Sequence, residues 1–343
     1  MNGRSVLLWR PEMFHGRGLR PFTFDGWYFK MVDAAERHVW AVIPGVWMER
    51  DPSKNYCFVQ FIDGVTGRTA MHRYPVEQFW SSHERFDIVC AHNRFSLTDM
   101  HLDMDEPDLH LSGDLHFSAP QGWPVRLWSP GAMGPFAFVP LLEGYHAVTS
   151  IDPRLTGNVL LDGEAIDFTG GKGYMERDWG SSFPRSWIWT QCNHFDTDGA
   201  CLTAAIAAVP LAGQTIQGFI VGFLYHGTFY RWTTWNGARI IHLLRDDHHA
   251  EFAVMHHNLL LEVWSGGRSN MSQVYAPRGG MMTRMLVEEL TAVCQVRLTL
   301  HSPGSRRVLF EERGRHAGLE ISGDLPVRSG EQVVEHIQGC PGQ

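Results

Sequence analysis

The feature that most constrains this chain is a strict two-residue period. In Leu109-His110-Leu111-Ser112-Gly113-Asp114-Leu115-His116-Phe117, apolar or small residues alternate with polar ones without a break. That is the pattern of a strand with one face buried. Cys294-Gln295-Val296-Arg297-Leu298-Thr299-Leu300 repeats it near the other end. Between the apolar runs stand Asp162-Gly163, Asp198-Gly199 and Asn236-Gly237, dipeptides that reach the positive φ values tight hairpins need. Helical periodicity is scarce, and only 75–79 and 281–290 predict a short helix. Many short strands joined by polar turns predict an all-β chain of barrels or sandwiches.

At 343 residues the chain is long enough for two domains, each with its own core. The Gly-rich stretch Thr169-Gly170-Gly171-Lys172-Gly173 sets the expected boundary, giving domains 1–170 and 171–343. Trp27-Tyr28-Phe29 and Trp187-Ile188-Trp189 fall early in each half and suggest a duplicated barrel. The 13 Trp, 20 Phe and 35 Gly suit strands wrapped around an aromatic-lined interior. A net charge of −8 with no basic cluster excludes an electrostatic footprint for nucleic acid. Val6-Leu7-Leu8-Trp9 is too short for a signal peptide, and the apolar run 201–213 is broken by Pro210, so no transmembrane segment is expected. Peripheral contact with a membrane stays open, and nothing in the sequence sets an oligomeric state. Six scattered cysteines without CxxC spacing suit a reducing compartment, and the expected location is the cytoplasm.

Three segments resemble the tocopherol cyclase family. Phe24-Asp25-Gly26-Trp27-Tyr28-Phe29-Lys30 is similar to the family's early (F)EGWYF(K/R) segment, with Asp25 where Glu is usual. Gly173-Tyr174-Met175-Glu176-Arg177-Asp178-Trp179-Gly180-Ser181-Ser182-Phe183-Pro184 continues through Trp187-Ile188-Trp189-Thr190-Gln191-Cys192-Asn193-His194-Phe195. Ala317-Gly318-Leu319-Glu320, preceded by Tyr275-Ala276-Pro277, closes the series. Plant cyclases tend to carry Asn where Asp178 stands. The resemblance implies two lipocalin-like antiparallel β-barrels packed together, as in related carotenoid hydratases. It also implies a cofactor-independent cyclase or hydratase acting on an apolar, prenylated or polyene small molecule.

Such a cyclisation protonates an alkene and captures the cation with an oxygen, which needs a neutral acid, aromatic faces and exclusion of water. If 174–179 is extended, Tyr174, Glu176 and Asp178 share one face. A carboxyl pressed against Trp179 or Trp187 would have its pKa raised and keep its proton. Asp178 is the expected acid and Glu176 its rival. Asp178 beside Arg177 is served equally well by a surface ion pair or a turn cap. Trp187, Trp189, Gln191 and Asn193 would point one way on the next strand. With Tyr28, Tyr174, Trp179 and His194 they make the expected substrate-binding set, although core filling explains the aromatic members as readily.

The histidines suggest a metal, but His248-His249 and His256-His257 lack ligand spacing, and His110 and His116 fall on the polar side of their strand. No GxSxG, GxGxxG or P-loop occurs. No metal, cofactor or nucleotide is expected. The competing reading is a non-catalytic lipocalin-like carrier of a hydrophobic small molecule, which has no use for a desolvated carboxyl in its cavity.

Overall fold

The computed structural model describes residues 7–16, 21–140, 142–211, 213–267 and 271–327. The side chains of 211 and 284–286 also stand outside that description. Twenty-three strands follow in chain order: β1 Phe22–Val32, β2 Val39–Glu49, β3 Tyr56–Asp63, β4 Thr69–Pro75, β5 Phe79–Ser81, β6 Asp87–Cys90, β7 Asn93–Ser96, β8 Asp99–Glu106, β9 Leu109–Ser118, β10 Gly144–Ser150, β11 Arg154–Leu161 and β12 Glu164–Asp167. The remainder are β13 Lys172–Gly180, β14 Trp187–Cys192, β15 Cys201–Leu211, β16 Gln214–Tyr225, β17 Thr228–Thr233, β18 Arg239–Arg245, β19 His249–His256, β20 Leu259–Gly266, β21 Ser272–Arg278, β22 Met281–Ser302 and β23 Ser305–Ser322. The alternating runs are β9 and the heart of β22. Asp162-Gly163 turns β11 into β12 with φ of 51° and 89°, the mirror-image turn that suits strand twist.

Two antiparallel sheets result. The first runs β4-β3-β2-β1-β13-β11-β9-β8-β7-β6-β5, with β10 also on β13 and β12 on β11. The second runs β17-β16-β15-β14-β23-β22-β20-β19-β18, with β21 on β22. Among the described residues both hydrogen-bonded paths are open, where closed barrels were expected. β4 ends at Pro75, which carries no amide hydrogen, and a 3-10 turn follows at Val76–Gln78. β17 ends where the Asn236 side chain accepts the amides of Thr233 and Ala238.

The chain forms two compact units, 1–184 with 270–286, and 185–269 with 287–343. The expected boundary at 169–173 lies inside the first unit, where Gly170 and Gly171 make the turn that leads into β13. The return segment is fastened to β3 by two bonds with Gln60: its amide donates to the Tyr275 carbonyl and its carbonyl accepts the Tyr275 amide. The helix expected at 75–79 reduces to the single 3-10 turn. The one expected at 281–290 is the start of β22, because pairing of Glu288 and Glu289 with Glu320 and Leu319 supplies a long-range ladder that overrides local propensity.

The first unit's core gathers Trp27, Phe29 and Met31 of β1 with Trp40, Val42, Phe61, Phe95, Leu115, Phe117 and Met175. The second unit's core takes Ile188 and Cys192 of β14, with Leu202, Phe223, Trp232, Phe252, Val263, Val296 and Phe310. The five cysteines in the described residues are free and buried.

Candidate active site

β1 and β13 cross the middle of the first sheet in antiparallel register, with Tyr28 opposite Glu176 and Gly26 opposite Asp178. On the other side of β13, β10 sets Val148 opposite Glu176 and His146 opposite Asp178. Because side chains alternate along a strand, β13 presents two different faces. Arg177 and Trp179 share the face of Met175 and the core. Tyr174, Glu176 and Asp178 share the other, with Tyr28 from β1 and His146 from β10.

On the core side, Arg177 is fully buried and holds Asp25 in a two-pronged ion pair. Its Nε donates to Oδ1 and its Nη2 to Oδ2, both at 2.7 Å, and Nη1 donates to the Pro11 carbonyl. The guanidinium lies 5.1 Å from the Trp27 ring centre and 4.4 Å from that of Trp179, a cation–π sandwich. Trp179 also stacks on Tyr145 at 5.3 Å. Burial pushes the Asp25 carboxyl up to about 6 even against the opposing pull of Arg177. Burial beside the same guanidinium drops His15 to about 3. The surface ion pair or turn cap considered for Arg177 and Asp178 is therefore not what forms: Arg177 reaches inward to Asp25, and Trp179 lies across the sheet from the carboxylates.

On the opposite face three ionisable groups converge. His146 Nδ1 lies 3.0 Å from Asp178 Oδ1, and Nε2 lies 3.8 Å from Glu176 Oε2. The Tyr174 hydroxyl donates to Glu176 Oε2 at 2.7 Å. The Glu176 side chain is 7% exposed and that of His146 14%, against 29% for Asp178. Burial works to lower the imidazole pKa, but Asp178 and Glu176 together outweigh it and raise His146 to about 9. The imidazole is thus protonated at neutral pH. Among the described residues these three form the group whose donor atoms, all within 4.8 Å of one another, approach closely enough to hold a cation. His146 meets the two carboxylates with opposite ring nitrogens, a geometry suited to passing a proton between them.

The remaining expected site residues belong to the second unit. Trp187, Trp189 and Gln191 are buried on the face of β14 that turns away from the core cluster, and Asn193, also buried, stands just past the end of that strand. Trp187 Nε1 donates to Glu320 Oε2 at 2.8 Å, and His194 Nδ1 is 2.8 Å from the Asn193 side-chain oxygen. His110 and His116 sit on the surface, paired with Asp105 and Asp99. A separate cleft of about 730 Å³ in the first unit mixes paired charges, including Arg85 and Arg94 on Asp87, with apolar side chains such as Phe86, Leu97 and Met100. His146 was absent from the expected site. Its only local signal is a place in the alternating run Gly144-Tyr145-His146-Ala147-Val148.

A profile described as tocopherol cyclase-like matches residues 115–323, well over half of the chain. The chain belongs to that family. It is similar to the probable chloroplastic tocopherol cyclase of Oryza sativa subsp. japonica, 33% identical over 109 residues, 31% of this chain and 23% of the rice protein. It is also similar to the chloroplastic tocopherol cyclase of Zea mays, 31% identical over 122 residues, 34% of this chain and 26% of that one. The match thus spans about a quarter of each plant protein. Among solved structures, kievitone hydratase from Nectria haematococca aligns over 87% of this chain and 88% of its own, with TM-score 0.50 and 10% identity. CghA, crystallised with Sch210972, aligns over 88% and 89%, with TM-score 0.53 and 10% identity. These two likenesses establish the shared all-β fold. No helix among the described residues is long and apolar enough to cross a membrane.

Proposed function

We propose that this family member is a cofactor-independent cyclase or hydratase of an apolar, prenylated or polyene small molecule, with Glu176 as the acid that protonates the substrate alkene. The observation that carries this reading is the buried imidazole set between two carboxylates, with the inner carboxylate accepting the Tyr174 hydroxyl. Of the two carboxyls expected from the sequence, Glu176 is the better desolvated and Asp178 the better solvated. Asp178 then positions His146 through Nδ1, and His146 holds the proton at rest.

Transfer of that proton from Nε2 to Glu176 makes a neutral carboxylic acid. The acid adds its proton to the less substituted alkene carbon, the π bond breaks, and a tertiary cation forms. A phenolic oxygen in a cyclase, or water in a hydratase, bonds to the cation and returns its proton to Glu176. Nothing is consumed besides the substrate and, for hydration, water. The carboxylates and the rings of Tyr28 and Tyr174 stabilise the positive charge. In the second unit, Trp187, Trp189, Gln191, Asn193 and His194 are proposed as ligand contacts, and Trp179 supports the site from the far face through Arg177.

The test is turnover of a prenylated hydroquinone in D₂O, read by mass spectrometry. The wild-type chain incorporates deuterium into the product. Glu176→Gln loses about 10²–10⁴-fold in rate, the usual contribution of a positioned acid, while quenching of tryptophan fluorescence by bound substrate persists. Full turnover by Glu176→Gln removes Glu176 from the role. Tight binding with no deuterated product in any variant supports the carrier reading instead.

A further inference from the structure

A second feature lies outside this site. From Trp123 to Leu142 the sequence reads WPVRLWSPGAMGPFAFVPLL, twenty residues with Arg126 as the one charged side chain. In the chain as a whole 19% of residues are charged, and the balance is −8. A stretch this apolar normally belongs in a core. Here its tip is exposed: Leu127 is 72% and Trp128 69% accessible, and Val125 and Phe138 are exposed as well.

The tip is built rather than loose. The Arg126 amide donates to the Ser129 carbonyl at 3.0 Å and the Ser129 amide to the Arg126 carbonyl at 3.1 Å. These bonds close a two-residue turn whose two residues are Leu127 and Trp128. Trp9 braces it by donating Nε1–H to the Leu127 carbonyl at 3.0 Å, and its ring meets Phe138 edge-on at 5.8 Å. Pro124 and Pro130 flank the turn and restrict the backbone on both sides.

We infer that Leu127 and Trp128 form a hairpin tip that docks the protein on a lipid bilayer surface. Tryptophan prefers the membrane interface, where its ring is apolar and its N–H stays near water. Arg126 at the shoulder of the tip is placed to meet lipid phosphates, and no carboxylate in the stretch opposes approach to them. A protein partner fits less well. Two such side chains offer roughly 300 Å² at 150–250 Å² for a fully buried tryptophan, far below the roughly 800 Å² each side contributes to a stable interface. A narrow apolar wedge matches the depth of the headgroup region, about 5–10 Å for an interfacial anchor. The inference is independent of the proposed acid chemistry, because no residue of that cluster takes part.

The test is flotation of the full chain with vesicles of phosphatidylcholine, alone and mixed with phosphatidylglycerol. The wild-type chain floats with the vesicles, more strongly with the mixed ones, and lipids brominated along the acyl chain quench its fluorescence. The double variant Leu127→Ser/Trp128→Ser loses about tenfold or more in partitioning, with an unchanged circular dichroism spectrum. Trp80→Ser, which removes a 53% exposed tryptophan elsewhere in the same unit, partitions like wild type. Failure of the wild type to float overturns the inference, as does a double variant that floats equally well. A double variant that instead turns a sedimenting dimer into a monomer overturns it in favour of self-association.

Discussion

Raising the pH should destabilise this protein through a single imidazole, by an amount that follows from the site. His146 has a folded-state pKa of about 9, whereas an imidazole in the unfolded chain titrates near 6.5. Between those values the folded state holds a proton that the unfolded state has released. The stabilisation is therefore complete below about pH 6.5, declines as pH rises, and is gone above about pH 9. At about 1.4 kcal/mol per pKa unit, a displacement from 6.5 to about 9 corresponds to about 3 kcal/mol, with a slope of at most about 1.4 kcal/mol per pH unit. Urea unfolding of the wild type and of His146→Gln across pH 6 to 10 reads this contribution, because titrating groups remote from the cluster cancel in the difference. The stability gap between the two proteins should shrink steadily over that window. A gap that stays flat, or one that widens with pH, refutes the assignment of His146 as an imidazolium held by Asp178 and Glu176.

Three further outcomes are expected. Asp25→Asn leaves the buried Arg177 guanidinium without its carboxylate and should cost about 3–5 kcal/mol in urea unfolding, while a loss below about 1 kcal/mol would show that the Pro11 carbonyl and the two indoles suffice. Gly180→Ala places a Cβ 2.2 Å from the Glu143 carbonyl oxygen at φ +144°, a backbone strain of about 1–3 kcal/mol before the clash is counted, so its melting temperature should fall clearly below wild type. Asp178→Asn removes the charge that orients His146 Nδ1, and the imidazole pKa followed by NMR should drop by at least about one unit without loss of fold.

Some of the site could be read directly from the residues. A period of two places Tyr174, Glu176 and Asp178 on one face of a strand wherever that strand lies, and it does the same for Trp187, Trp189 and Gln191, whereas Asn193 falls just past the end of its strand. The hairpin at Asp162-Gly163 was legible for the same reason, since its φ values depend on two adjacent residues. Where local pattern was weak the reading failed. The run 281–290 carries no clean alternation, so its identity as a strand waited on pairing with β23, and the unit boundary waited on the chain's return over 270–286.

The sequence by itself determined the β class, many of the turns and which side chains share a strand face, because alternation and turn chemistry act over a few residues. Tertiary structure decided who meets whom. Asp25 and Arg177 are 152 residues apart and become partners only when β1 pairs with β13 in one particular register; a shift of one residue would turn Asp25 to the other face. His146 enters the acid cluster because β10 pairs along β13 and brings it opposite Asp178. Register between distant strands is set by how whole faces bury against one another, and no local stretch of residues encodes that.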